Sequence, residues 1–108
     1  MVRGTVRVVL PSKKRLEVLG IFWSMAERAR FEPGCVGCHV SQDTRDDRVI
    51  VLEEWWEDEE DLKRHLRSDE YRKVLLVMEM ALYPPEVMFE TISGSSGIET
   101  IQKARSSS

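Results

Sequence analysis

Glu54, Trp56 and His65 have the residue types and spacing for proton chemistry on a flat ring. They lie in one stretch, VIVLEEWWEDEEDLKRHL, from Val49 to Leu66. Its β-branched start predicts a strand that ends in Glu54-Trp55-Trp56. Five acids follow, and then a helical pattern carries Leu62, His65 and Leu66. His65 sits three residues after Leu62 and so shares that helix's inner face. An imidazole exchanges protons near neutral pH. Glu54 and Trp56 share one face of the strand, while Glu53 and Trp55 share the other. His65 is therefore a candidate proton acceptor or hydrogen-bond donor, Glu54 a group that orients it, and Trp56 a wall for an aromatic ligand. A plainer reading is also open. His65 is then a core histidine held by Glu54 or a backbone carbonyl, and Trp56 a core plug with its indole N–H satisfied. Trp55 reads as packing at an interface between copies.

These side chains need a sheet and two helices to hold them. Thr5 to Leu10, closed by Pro11, reads as the first strand. Lys13 to Phe31 reads as a helix with Leu16, Val18, Leu19, Phe22, Trp23, Met25, Ala26 and Ala29 on one broad arc. Glu32-Pro33-Gly34 ends it, with Gly34 free to adopt a left-handed cap. Cys35 to Gln42 and Arg48 to Trp56 read as a hairpin around the polar turn Asp43–Asp47. Asp58 is the expected N-cap of the second helix, with acids in its first turn and bases near its end. Ser68 is expected to cap a further helical piece, Asp69 to Leu82, whose Tyr71, Val74, Leu75, Met78 and Leu82 share a face. Tyr83-Pro84-Pro85 stops it, and Glu86 to Ile92 is the fourth strand.

The order β-α-β-β-α-β is a ferredoxin-like α+β arrangement with a four-stranded antiparallel sheet over residues 1–93. Residues 94–108 read as a flexible break and a C-terminal tail. Apolar residues occur on both faces of the expected strands, as with Val6, Val8 and Leu10 against Val9. A one-sided helix layer leaves one such face uncovered, so a homodimer packed sheet to sheet is expected.

Bulk properties set limits. The chain has 108 residues, 19 acids and 16 bases. That suits one domain with a modest core. There is no basic stripe with interleaved aromatics, so nucleic acid is not an expected partner. No segment has transmembrane length, and the Lys/Arg cluster follows rather than precedes the first apolar run. The expected setting is the cytoplasm, with Cys35 and Cys38 as thiols. The acidic run Glu57–Asp61 points in several directions at a helix start, so no metal is expected. Cys35-Val36-Gly37-Cys38-His39 matches the haem-attachment pattern CxxCH. On a regular strand its two cysteines would point to opposite faces, and neither haem attachment nor a redox pair is expected. His39 would share a face with Cys35. No GxGxxG follows a strand, so no nucleotide cofactor is expected.

With these residues in place, the chain resembles the antibiotic biosynthesis monooxygenase family. The resemblance rests on Pro33-Gly34-Cys35 and Glu54-x-Trp56, and on His65-Leu66-x-Ser68-x-x-Tyr71 nine residues beyond Trp56. Pro84-Pro85 before the last strand completes it. It implies a dimeric α+β barrel and points to cofactor-independent oxygenation of a quinol or a phenolic, polyketide-like aromatic. A dimer that binds small ligands without chemistry is the alternative. In the oxygenase reading His65 and Glu54 would be the catalytic pair. Trp56, Trp23, Met78 and Met88 would line the aromatic site. Haem-degrading members of the family carry a ligand histidine where Leu75 stands here, so haem degradation is not expected.

Overall fold

A computed structural model describes residues 1–106. Its elements are β1 (Val2–Val9), α1 (Arg15–Ala29), β2 (Cys35–Gln42), β3 (Val49–Trp56), α2 (Glu59–Leu66), α3 (Arg72–Met80), β4 (Glu86–Thr91) and α4 (Ile98–Ser106). A 3-10 turn, Ser12–Lys14, leads into α1. The four strands form one antiparallel sheet in the order β2-β3-β1-β4. This is the expected ferredoxin-like α+β fold. The tail is helical from Ile98 to Ser106, and that helix buries none of its residues. Ser107 and Ser108, the end of the expected tail, lie outside the described residues.

Strand alternation builds the core. Val2, Val6 and Val8 of β1 and Ile50, Leu52, Glu54 and Trp56 of β3 are buried on the face that carries the helices. Val18, Phe22, Met25, Ala26 and Ala29 of α1 close over them, with Val74 and Val77 of α3. The expected apolar arcs were too wide. Leu16 and Trp23 are 71% and 64% exposed, so they stand outside the arc that α1 buries. On α3, Val77 takes the inner place expected for Leu75, which is half exposed.

The opposite sheet face is mixed rather than apolar. Val9, Val51, Trp55 and Met88 share it with Arg3, Arg7, Glu53, Glu86 and Glu90. Arg3 pairs with Glu90 at 2.7 Å and Arg7 with Glu86 at 3.7 Å, across β1 and β4.

One irregularity changes the reading of the cysteines. A bulge between Cys35 and Gly37 shifts the β2 register, so Cys35 lies opposite Trp56 and Cys38 opposite Glu54. Both thiols therefore take the helix face, not opposite faces, and His39 takes the other. Cys38 is fully buried in the main core. A porphyrin thioether there would require the core to open. His39 packs edge-on to Trp55 instead, with ring centres 5.4 Å apart.

Candidate functional site

The turn after α1 and the start of α2 lock together first. Gly34 adopts φ 81°, and a Cβ there would run into the Asp61 side chain. Glu57 N–H donates to the Gly34 carbonyl at 2.8 Å. Asp58 caps α2 by accepting from Asp61 N–H at 2.9 Å. This junction brings Glu32, just before the turn, against the inner face of α2.

The far end of α2 is held by Ser68. Its hydroxyl donates to the His65 carbonyl at 2.7 Å and accepts from Tyr71 N–H at 3.3 Å. Ser68 therefore caps a turn between the helices, and α3 begins only at Arg72. Tyr71 then sets its ring edge-on to His65, 5.3 Å between centres and 76° between planes. The spacing His65-Leu66-x-Ser68-x-x-Tyr71 thus has a local physical meaning: it fixes the imidazole's backbone and one side of its ring.

The imidazole lies in a closed cluster. His65, Glu54 and Trp56 are 0%, 1% and 0% exposed. Trp56 covers one face of the His65 ring, with centres 4.6 Å apart and planes at 32°. Nδ1 lies 2.8 Å from Glu32 Oε2 in a hydrogen bond. Nε2 lies 2.5 Å from Glu54 Oε2. That second approach is close but off the ring N–H direction, so neither atom has a directed hydrogen bond among the described residues. The proximity still matters electrostatically. Among the described residues, Trp56 Nε1 likewise has no hydrogen-bond partner.

Burial alone would lower the His65 pKa. The short polar contact with Glu54 and its charge, and then the charge and hydrogen bond of Glu32, outweigh burial and raise the value above the ordinary one. The imidazolium is thus favoured between two carboxylates. Glu32 is 31% exposed and connects the buried pair to solvent. Burial, reinforced by the Glu54 charge, raises the Tyr71 hydroxyl and the Cys38 thiol, so both stay protonated at neutral pH.

A pH dependence follows. A raised folded pKa means that the folded state holds the proton more tightly. The stability His65 supplies is full below its unfolded value, about 6.5. It is lost as pH rises through the raised folded value. The thermal midpoint of the wild type should therefore fall relative to His65→Gln across that window, as followed by circular dichroism. Parallel curves for the two proteins would refute the imidazolium.

The structure brings Glu54, Trp56 and His65 together and adds Glu32 and Tyr71, which sequence reasoning did not assign to the site. Trp23, Met78 and Met88 lie elsewhere. Trp23 lines a surface cavity of about 330 Å³ with Leu19, Gly20 and Val40. Met78 packs at the margin of the main core. Met88 lines a cavity of about 380 Å³ on the opposite sheet face, with Arg3, Arg7 and Val51.

The family model of antibiotic biosynthesis monooxygenases matches residues 1–75. A crystal structure of an antibiotic biosynthesis monooxygenase superposes with a TM-score of 0.77 at 21% identity, covering 87% of this chain and 100% of that one. A candidate antibiotic biosynthesis monooxygenase of Deinococcus radiodurans gives 0.82 at 15% identity, over 91% and 98% of the two chains. A conserved protein of Methanosarcina mazei Go1 gives 0.75 at 24% identity, over 82% and 89%. At these identities the likeness is one of fold. No curated protein matches the sequence. No helix among the described residues is long and apolar enough to cross a membrane.

Proposed function

The chain belongs to the antibiotic biosynthesis monooxygenase family, and we propose that it oxygenates a flat phenolic or polyketide-like aromatic without a cofactor. The observation that carries this reading is the buried row Glu54–His65–Glu32, which runs from the core to the surface. The working protein in this reading is a cytoplasmic homodimer, and residues 1–93 form the functional domain.

Anthrone illustrates the chemistry. Its methylene carbon loses a proton to Glu54, while His65, held at Nδ1 by Glu32, keeps its own proton as the imidazolium. The imidazolium stabilises the carbanion that remains. That electron-rich anion gives an electron to oxygen, and the two radicals join as a peroxide on the same carbon. Protonation yields the hydroperoxide. The O–O bond then breaks with loss of water and leaves the ketone. In sum, the methylene group and one dioxygen molecule become a carbonyl group and one water. One oxygen atom stays on the carbon, and the other leaves with both methylene hydrogens. Trp56 supports His65 from one face and keeps water away from the charged pair.

The test is oxygen uptake with anthrone after subtraction of the spontaneous rate. One oxygen consumed per anthraquinone formed, with no added metal, flavin or nicotinamide, is the expected result. No uptake above the spontaneous rate would overturn the proposal.

A second reading has its own observation. Both ring nitrogens of His65 face carboxylates, and the cavities of about 280–380 Å³ on the surface are lined by other residues. The row would then be an ionic latch between α2 and the sheet, and the dimer a binding or assembly unit.

A further inference from the structure

On the helix face, residues directly opposite one another form rows across the sheet. One row is Val40–Leu52–Val6–Val87, and another is Cys38–Glu54–Gly4–Phe89. The second row holds the proton-active carboxylate and, beside it, the one position in this part of β1 without a side chain. The gap is not empty. The Phe89 ring leans over Gly4 from the edge strand β4, and a Cβ on Gly4 would lie only 2.9 Å and 3.0 Å from two of its ring carbons. Gly4 therefore makes room for an aromatic ring next to Glu54. Phe89 itself is 44% exposed, and its row neighbour Val87 45%, so this edge of the sheet is open to solvent. Glu54, by contrast, is shut in, with a carboxylate oxygen that lacks a directed partner among the described residues.

We propose that the ring-sized space over Gly4 is the aromatic subsite of this protein and that Phe89 fills it in the ligand-free state. A flat aromatic ligand displaces the Phe89 ring outward and takes its place beside Glu54. The chain's own ring shows that the space over Gly4 accepts planar sp² carbon. The exposed position of Phe89 gives its side chain a direction in which to turn. Gly4 and Phe89 thereby set specificity: the first by its missing side chain, the second as an internal competitor. Affinity is lowered by whatever fraction of molecules has the space closed. This subsite rests on the proposed oxygenation for its purpose, but its occupancy is measurable without turnover.

Equilibrium dialysis of 1-naphthol under nitrogen tests it. Phe89→Ala, which removes an exposed ring, should bind at least about tenfold more tightly because no competitor remains. Adding Gly4→Val to Phe89→Ala should cancel that gain, since the valine side chain occupies the space. Gly4→Ala alone should weaken binding, and the exposed Phe89 ring can turn outward to accommodate the extra methyl. Thermal midpoints of all three variants establish that they are folded. Unchanged affinity in Phe89→Ala, or tight binding retained in the double variant, would overturn the subsite. Anthrone turnover separates the two ideas. Turnover insensitive to both positions removes the subsite and keeps the oxygenase. Naphthol binding that follows Gly4 and Phe89 in a protein with no turnover keeps the subsite and removes the oxygenase.

Discussion

Replacing His65 with alanine should destabilise the fold by about 3–5 kcal/mol, the usual cost of leaving a buried partner charge uncompensated. The stranded charge is Glu54, which is 1% exposed and, among the described residues, pairs with no other cation. The substitution also strips the ring that packs between Trp56 and Tyr71. Urea unfolding monitored by fluorescence gives the number. The double variant His65→Leu, Glu54→Leu should recover much of the loss, because paired charges replaced by apolar groups leave nothing unsatisfied between them. A His65→Ala protein as stable as the wild type would show that Glu54 is neutralised some other way. Domain stabilities are typically about 5–15 kcal/mol, so this single change removes a large share.

An equally large effect is expected at Leu52, and its neighbour Val51 should behave oppositely. Leu52 is fully buried on the helix face opposite Val6 and Val40. Leu52→Glu loses a core side chain worth about 2–5 kcal/mol. It also places an unpaired carboxylate where ionisation costs several more. The sum approaches the whole stability of a small domain, so the variant should be unfolded by circular dichroism. Val51 is half-buried on the opposite face, directly across from Arg7. A glutamate there has a cation beside it and should leave the fold intact. If that face joins two copies, Val51→Glu should sediment as a folded monomer while the wild type sediments as a dimer. A Leu52→Glu protein that folds would contradict the assignment of the helix face. A dimer unaffected by Val51→Glu would place the contact elsewhere.

The strands were legible because period-two alternation and turn residues mark them. Cys35–Gln42 is the strand expected, and Val49–Trp56 differs from expectation by one residue. Helices α1 to α3 were legible as elements but not as faces, since apolar residues such as Trp23 and Leu75 fall near the inner arc without reaching it, and α4 was read as a flexible tail. The bulge at Val36 left no mark in residue type, and it reversed the sides of Cys38 and His39. The juxtaposition of Glu54, Trp56 and His65 was readable from strand alternation and helical spacing. Glu32 was not, because it lies 33 residues from His65 and arrives through the Gly34 turn against Asp61. Its place before Pro33-Gly34, in a turn that must pack on the start of α2, was the available signal. Phe89 and Gly4 required the strand register, which no local pattern gives.

The most direct measurement of the central claim is cofactor-free anthrone oxygenation by the wild type and by Glu54→Gln at equal folded concentration. The amide keeps the shape of the carboxyl but cannot accept the proton that Glu54 is proposed to take. The account predicts a fall of at least about 100-fold in kcat, within the range that general-base groups contribute, with 1-naphthol affinity little changed. Equal rates in the two folded proteins would contradict it and leave Glu54–His65–Glu32 as an ionic latch in the core.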